Sequence, residues 1–400
     1  MVPDIGTILN YVIIFGFCCL AFGPIFGPGS TAATAAPTAN IDQCVQSPPL
    51  STNQPANPNV PVVKLKQTAS NSTARLVIED PPSDLQLEYT DQAEFTDADG
   101  FTIISGEQAT IAGNPDRAWV NVSAPKYERL SKPGLGNEHT LVRLPETNRQ
   151  VHFEVHNRGY AGHKFALLGP HSTTNRTVGC QDITLVTPVG ENVELGLAPS
   201  KIADDLATAS KEISIGHRHS RLITFITPSG FGNRDGYVIP NPGTKQGGNE
   251  IVLSPNISRR DANNVVFHEY VHTAQRNLEP RWVAEGQTLY LATELAIQEG
   301  YVKPRYATYD NKHLLNSSTG RAVTSGDEEP YARGYFFFAS LDRRLTSQNT
   351  SLESVIRLVN KQQLRNPRAG EIDTWESAVE TKTGNSVSLT HPYKQPPEAV

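Results

Sequence analysis

Hydrophobic and polar positions follow two different patterns along the 400-residue chain, and the pattern changes near residue 199. Ahead of that point, short apolar or alternating runs are separated by Pro, Gly, Asn and Asp, which is typical of strands joined by turns. The clearest runs lie at 75–78, 101–104, 118–122 and 151–155. Their spacing predicts a β-rich, sandwich-like domain over residues 72–190.

Beyond residue 199 the chain alternates helical and strand-like segments and then becomes mainly helical. Apolar residues recur at helical spacing over 202–209, and strand-like runs follow at 222–226, 236–239 and 250–253. The later helices are predicted at 262–276, 281–299, 329–346, 351–364 and 373–382, and Gly384 is placed to end the last of them. The sequence therefore predicts an α+β fold, with a second domain over residues 191–400 and no internal repeat.

The first 71 residues follow neither pattern. Residues 5–26 are apolar and uncharged, a run long enough to span a bilayer. We expect residues 1–28 to be a signal peptide or a membrane anchor, because a terminal run beside a low-complexity segment is poorly placed to join a core. Residues 29–71 are rich in Pro, Ala, Ser, Thr and Asn, a composition that predicts a disordered linker.

Two further features favour a protein that works outside the cytoplasm, secreted or held at the cell surface. Two cysteines lie outside the apolar run, Cys44 and Cys180, and they could form one disulfide or remain two unpaired thiols. Six Asn-x-Ser/Thr triplets, the acceptor pattern for N-glycosylation, occur at Asn71, Asn121, Asn175, Asn256, Asn316 and Asn349. If the N-terminal segment is not cleaved, the membrane becomes a partner through it.

The charge of the chain and the spacing of its histidines indicate which other ligands it could bind. The net charge is −6 at pH 7 and no block of Lys or Arg occurs, so the basic footprint of a nucleic-acid-binding protein is missing. Four histidines of the β-rich region follow no metal-ligand spacing, so we expect them to be scattered, with a second metal site as the alternative. They are His152, His156, His163 and His171. The sequence does not determine the oligomeric state.

The segment His268-Glu269-Tyr270-Val271-His272 places two imidazoles and a carboxylate on one turn of a predicted helix. Residues at i and i+4 share a helix face, so His268 and His272 can bind one ion. Glu269 lies about 100° round the helix from His268 and can reach a water on that ion without ligating it. This arrangement is typical of a zinc-dependent hydrolase.

A carboxylate near the start of the next helix can complete the site. Pro280 is suited to open that helix, and Glu285 follows His272 by thirteen positions. Glu285 is therefore the predicted third protein ligand of a single Zn²⁺, which leaves the fourth position open for water.

These residues resemble the gluzincin metallopeptidases, in particular the peptidase MA-like group. The resemblance covers roughly residues 195–390. It rests on the histidine motif and on Trp282-x-x-Glu285-Gly286 with Tyr290 after it. The segments 331–338 and 375–385 also match the family pattern. It implies a zincin-like catalytic domain, in which a helix and a small sheet precede the histidine helix and a mainly helical half follows.

One position departs from the family pattern. Thermolysin-like members carry an Asp four residues after the glutamate ligand, where it supports a histidine, and this chain has Leu289 there. The partner that orients a ligand histidine is therefore unidentified from the sequence. Tyr290, Trp282 and the phenylalanines at 336–338 are interpreted as packing residues.

The predicted reaction is hydrolysis of a peptide bond in a peptide or protein substrate. Glu269 would accept the proton of the attacking water, and the resemblance makes Tyr331 a candidate donor to the oxyanion, with packing as its alternative role. Two other functions stay open: a metal-dependent hydrolase of a non-peptide substrate, and a surface binding protein with a structural zinc site. The presence of Glu269 argues against the second, because a structural site has no use for a base.

Overall fold

The computed structural model describes Cys44 and the segments 60–68, 73–89, 94–123, 139–156, 158–190, 193–216, 218–227, 236–238, 248–257, 265–275, 280–303, 329–363 and 371–394. They form an α+β protein whose N-terminal part is β-rich and whose C-terminal part is helical, as predicted. The predicted signal peptide or anchor lies outside the described residues. Within those residues, no helix combines the length and the apolar character needed to cross a membrane.

The strands mostly precede residue 190 and the helices follow it. The strands are β1 Val62–Gln67, β2 Thr73–Glu79, β3 Gln86–Glu88, β4 Glu94–Asp99, β5 Phe101–Ser105, β6 Gln108–Ile111, β7 Arg117–Ser123, β8 Thr140–Arg143, β9 Glu146–Thr147, β10 His152–Val155, β11 Gly159–Ala161, β12 Phe165–Leu168, β13 His171–Val178, β14 Gln181–Pro188, β15 Arg221–Ile226, β16 Gly236–Val238 and β17 Glu250–Leu253. The helices are α1 Pro199–Glu212, α2 Val265–Ala274, α3 Arg281–Gln298, α4 Glu329–Thr346, α5 Leu352–Gln363 and α6 Ile372–Thr383. Gly384 ends α6 in the left-handed conformation, with φ 72°.

Three sheets build the β-rich part, with strand orders β10-β1-β2-β7-β4, β5-β6-β3-β9 and β11-β12-β8. Leu65, Leu87 and Leu168, one from each sheet, lie in their shared core. Successive side chains of a strand point to opposite faces, so the neighbours of Leu168 and Ala166 in β12 point away from this core. Those neighbours, Phe165 and Leu167, pack instead against the sheet of the helical part.

The prediction of a disordered linker is wrong at its C-terminal end, where residues 62–67 form strand β1. The segment 29–71 was expected to be disordered, yet residues 62–67 pair antiparallel with β2 and parallel with β10. Val63 and Leu65 are fully buried. The alternation of apolar and polar residues is short here and adjoins a Pro-rich stretch, which concealed it. The other predicted domain boundaries stay predictions.

The helical part is built on a sheet with the strand order β13-β14-β15-β17-β16. Strands β14, β15 and β17 run parallel, and β16 is an antiparallel edge strand. The β13–β14 hairpin, which the sequence placed in the β-rich domain, belongs to this sheet. Ile183 and Leu253 face α1 and α2, whereas Val186 and Phe225 face β12, so the central strands are buried on both faces.

A buried carboxylate connects this sheet to the β-rich part. Glu250, the first residue of β17, accepts backbone N–H bonds from His163 and Lys164, in the turn before β12, and from Phe165, the first residue of β12. Burial raises the pKa of Glu250 to about 7, although the three amides and Lys164 favour the charged form. The structure therefore buries a carboxyl group that is only partly ionised at neutral pH.

This carboxylate should make stability depend on pH. Because its folded pKa exceeds the ordinary value of 4.5, the folded state binds the proton more tightly, and Glu250 should reduce stability as the pH rises from about 4.5 to about 7. The full effect is on the order of 3 kcal/mol. Urea unfolding across that range should show a shallower decline for Glu250→Gln than for the native chain. Equal slopes would contradict the assignment.

The two cysteines left open by the sequence form a disulfide. Cys44 and Cys180 are bonded, with their Cα atoms 5.7 Å apart. Cys180 lies in the turn of the β13–β14 hairpin, so the segment at residue 44 is attached covalently to the sheet that carries the helical part.

Helices α3 and α4 approach each other through glycines. A Cβ atom on Gly286 would overlap the Cα of Gly334, and a Cβ on Gly334 would overlap the carbonyl oxygen of Trp282. Trp282, predicted to pack, is 2% exposed and lies beside Phe337. Tyr290 is also buried and donates a hydrogen bond to Asp342. The glycines therefore let two backbones touch where both helices approach the predicted site.

Candidate metal centre

Helix α2 carries His268, Glu269 and His272, and most of its other side chains are buried. Phe267, Tyr270 and their apolar neighbours pack into the core between α1, the sheet and α3. The helix is thereby fixed in rotation, and His268 and His272 face the first turns of α3. Both imidazoles are largely shielded from solvent.

The three predicted ligands converge. Nε2 of His268 and Nε2 of His272 lie 3.2 Å apart, and Oε2 of Glu285 lies 3.5 Å and 3.4 Å from them. In a tetrahedral zinc site with ligand distances of about 2.0–2.1 Å, the ligand atoms lie about 3.3–3.4 Å from one another. The triangle has the size of one face of that tetrahedron. Two imidazoles and one carboxylate are also a donor set that Zn²⁺ accepts, so the residues fit the ion.

Gln275 orients one of the ligand imidazoles. Its Nε2 donates to the carbonyl of Ala284, which fixes the amide so that Oε1 faces Nδ1 of His272 at 2.8 Å. Nδ1 must therefore carry a proton, and the lone pair of the neutral ring belongs to Nε2, which faces Glu285. Thr288 also contacts Nδ1, at 3.4 Å. Gln275 is thus the partner that orients a ligand histidine. Leu289, which stands where thermolysin-like members have an Asp for this purpose, is buried beside Phe336.

Sequence reasoning missed Gln275, although one signal was present. Gln275 stands three residues after His272, a spacing that puts two side chains on one helix face. The chain leaves the regular helix at Ala274, so the pattern alone could not show that the amide turns back to the ring.

We expect Gln275→Leu to weaken zinc binding by about 10–100-fold, because the imidazole loses the acceptor that fixes its tautomer. Competition with a chromogenic chelator measures the affinity. Gln298→Leu, an exposed glutamine at the end of α3, is the matched control and should bind zinc normally. Unchanged affinity in Gln275→Leu would show that the contact does not orient the ring.

Opposite charges dominate the electrostatics of the site. Burial raises the pKa of Glu285, but hydrogen bonds and charge from His268 and His272 outweigh it and lower this pKa far below its usual range. Burial likewise lowers the pKa of His272, but Glu285, with smaller contributions from Glu269 and Gln275, raises it to about 9. A cation that binds here therefore meets an ionised carboxylate and displaces a proton from an imidazole.

Glu269 lies against the edge strand of the sheet. Its side chain is 5% exposed, and a Cβ atom on Gly236 in β16 would stand only 2.8 Å from its Cγ. A larger residue at position 236 would therefore displace the carboxylate. The sequence offered no sign of this contact, since the two residues are far apart along the chain.

Tyr331, at the start of α4, stands next to the ligands. Its ring lies 6.3 Å from that of His268 and 5.5 Å from the guanidinium carbon of Arg281. Burial, together with the charge of Glu285, raises the pKa of Tyr331 above its ordinary value, so the phenol keeps its proton at neutral pH. The ring also packs in the cluster around Phe336. Donor and packing roles are both compatible with this position, and the catalytic role stays a prediction.

The four histidines of the β-rich region do not form a second site. In the part of the chain that the structure describes, His268, His272 and Glu285 are the one group of three or more such residues placed to share a metal ion. His152 contacts Glu154, and the ring of His171 packs on Tyr160. Within the described residues, these four histidines are therefore not placed to share one ion.

Similarity to known proteins is structural. No family model and no curated protein matches the chain. An aminopeptidase N family protein from Idiomarina loihiensis has 12% identity and a TM-score of 0.51, over 83% of this chain and 77% of that one. An M1 zinc metallopeptidase from Deinococcus radiodurans, in a mutant form bound to a Tyr-Ser-Ala substrate, has 12% identity and a TM-score of 0.46, over 81% and 90%. The first likeness shows that the chain has the fold of these peptidases, which confirms the predicted α+β, zincin-like architecture.

Proposed function

We propose that this chain is a zinc-dependent peptidase in which His268, His272 and Glu285 hold one ion and Glu269 is the general base. The observation that carries the proposal is the triangle of ligand atoms, 3.2–3.5 Å on a side, with a buried carboxylate on the same helix. A structural zinc site would use a closed set of four protein ligands and would need no carboxylate beside it.

Each residue has a task in hydrolysis. When bound, zinc would supply Lewis acidity toward a water molecule and the substrate carbonyl. Glu269 accepts the proton of the attacking water and then passes it to the leaving amine. Gln275 keeps Nε2 of His272 available as a ligand. Tyr331 donates its hydroxyl to the oxyanion that develops on the substrate carbonyl.

The edge strand β16 supports a peptide as the substrate. It borders the sheet on the side of α2, and Gly236 brings its backbone against Glu269. An edge strand presents backbone N–H and C=O groups that can pair with an extended peptide. A peptide added there would run alongside the base, which favours a peptide over other hydrolysable substrates.

The direct test is cleavage of casein, with furin-type fluorogenic peptides as a second substrate. We expect cleavage that a chelator blocks and added zinc restores. Cleavage of neither, by an enzyme that still binds one zinc per chain, would reject peptidase activity. Hydrolysis of ester substrates alone would favour the non-peptide alternative.

Tyr331→Phe should lower kcat by about 10²–10³, with little change in KM, because the contact exists only in the transition state. Steady-state kinetics with a fluorogenic peptide separates the two constants. If kcat stays constant and thermal stability falls instead, Tyr331 is a packing residue.

We also propose that the enzyme is exported and works at the cell surface or in the medium. The apolar run at 5–26 and the six Asn-x-Ser/Thr triplets support this location. So does the disulfide between Cys44 and Cys180, because disulfides persist mainly in oxidising compartments. N-terminal sequencing after fractionation distinguishes a retained anchor from a cleaved signal. Recovery of the full-length chain with reduced cysteines from the cytosol would refute export.

A further inference from the structure

Close to the candidate metal centre stands an arginine, Arg281, that the reaction described above does not require. Arg281 is the first residue of α3 and precedes Glu285 by four positions, so both side chains lie on the same face of that helix. Arg281 is exposed, whereas Glu285 and Tyr331 are partly buried. Its guanidinium carbon lies 5.5 Å from the centre of the Tyr331 ring. An exposed cation therefore stands beside the candidate oxyanion donor.

The distances place this cation within reach of a bound peptide. The Tyr331 ring is 5.5 Å from the Arg281 guanidinium carbon and 6.3 Å from the ring of His268. The guanidinium is thus no more than about 12 Å from a ligand imidazole. Three extended residues span about 10–11 Å. In a peptide that runs from the ligands toward Arg281, an acidic side chain within these three residues can therefore reach the guanidinium.

The end of α3 that carries Arg281 favours an anion, because the ionised carboxylate nearby, Glu285, faces the ligand histidines. Helix α3 has 18 residues and no acidic side chain in its first turn, so the positive end of its dipole adds to the charge of Arg281. The neighbouring Arg333 is 7% exposed and is bound to Glu329 and to the carbonyl of Pro392, whereas Arg281 is exposed to solvent. Of these two arginines, Arg281 is therefore the one that a ligand from solution can reach.

We propose that Arg281 is a specificity-determining residue that binds a carboxylate of the peptide substrate within three residues of the scissile bond. Guanidinium and carboxylate groups form paired, parallel hydrogen bonds, and the fixed fork of arginine suits this geometry. The carboxylate comes from an acidic side chain or from the C-terminus of a short peptide. This inference rests on the proposed peptidase function.

The test compares fluorogenic peptides that differ in one charge. Each of the three positions on either side of the cleaved bond carries Glu in one peptide and Gln in its partner, and a further pair ends in a free or an amidated C-terminus. We expect the native enzyme to favour the charged peptide of at least one pair by about fivefold in kcat/KM, the upper range for an exposed ion pair. A preference confined to the last pair identifies the C-terminal carboxylate as the ligand.

Charge variants then assign the preference to Arg281. Arg281→Gln should remove the preference, and Arg281→Glu should reverse it in favour of the uncharged peptide. Arg343→Gln changes an exposed arginine in the last turn of α4 and should retain the preference. The ratio within one pair cancels any loss of rate transmitted through Tyr331. An equal fall in kcat for both peptides of every pair would overturn the proposal and make Arg281 a positioning residue for Tyr331.

The outcomes also separate this inference from the function on which it rests. Cleavage of all peptides without a charge preference contradicts the role of Arg281 alone. Absence of cleavage by the zinc-loaded native enzyme contradicts the peptidase function itself. Binding of the same peptide pairs to the zinc-loaded Glu269→Gln variant supplies a readout that needs no turnover, and an equal affinity for both members would also refute the ion pair.

Discussion

Replacing Glu269 with Gln should reduce peptide hydrolysis by about 10²–10⁴ while zinc stays bound. The amide has nearly the same shape and can still hydrogen-bond the attacking water, but it cannot accept the proton. The side chain is 5% exposed and lies against Gly236, so an isosteric change should not disturb the packing. Activity is measured with a fluorogenic peptide, and zinc content by atomic absorption.

Two variants control the interpretation of this loss. Glu294→Gln changes an exposed carboxylate in the middle of α3 and should leave the rate unchanged. His272→Ala should lose zinc together with activity, which distinguishes removal of the base from removal of the ion. If Glu269→Gln kept near-native activity, the base would be another residue and the mechanism would have to be replaced.

Substitution at the glycine contact should have the second large effect. Gly334→Ala would drive a methyl group into the backbone of α3 at Trp282 and Gly286, where no flexible side chain can move aside. We expect a loss of stability at or above the usual 1–3 kcal/mol for overpacking. Because Glu285 and Tyr331 stand close to this contact on the two helices, zinc affinity and kcat should both fall.

Urea unfolding and zinc titration measure these two consequences separately. Gly300→Ala is an instructive control, since a Cβ there meets no other atom and the cost comes from its positive φ of 72° alone. Gly300→Ala should lose some stability but bind zinc as the native chain does. Native stability of Gly334→Ala would mean that the helices can separate without cost.

The sequence predicted most of the residues that converge at the candidate metal centre, because they lie close together along the chain. His268, Glu269 and His272 lie within one and a half turns of a single helix, and helical period fixes their relative directions. Glu285 could be added because it begins the next helix. The bounds of α3 and α4 were also predicted well, since their apolar periodicity extends over 18 residues each.

What the sequence did not reveal depends on contacts between distant segments. The pairing of the β13–β14 hairpin with β15 cannot be recognised from residue order, because hairpin strands have the same alternation in either sheet. The approach of Gly236 to Glu269 and the contact of Gly286 with Gly334 likewise arise only after the chain is folded. In the two glycine contacts the sequence shows the glycine without showing which neighbouring group it admits.

The Cys44–Cys180 bond has a consequence for how the protein tolerates a reducing environment. The two cysteines are 136 residues apart along the chain, and a cross-link over so long a loop removes conformational freedom mainly from the unfolded state. Its loss typically costs about 2–5 kcal/mol, a large share of the stability of an ordinary folded protein. A reductant that leaves every other contact of the fold unchanged should therefore lower the unfolding temperature.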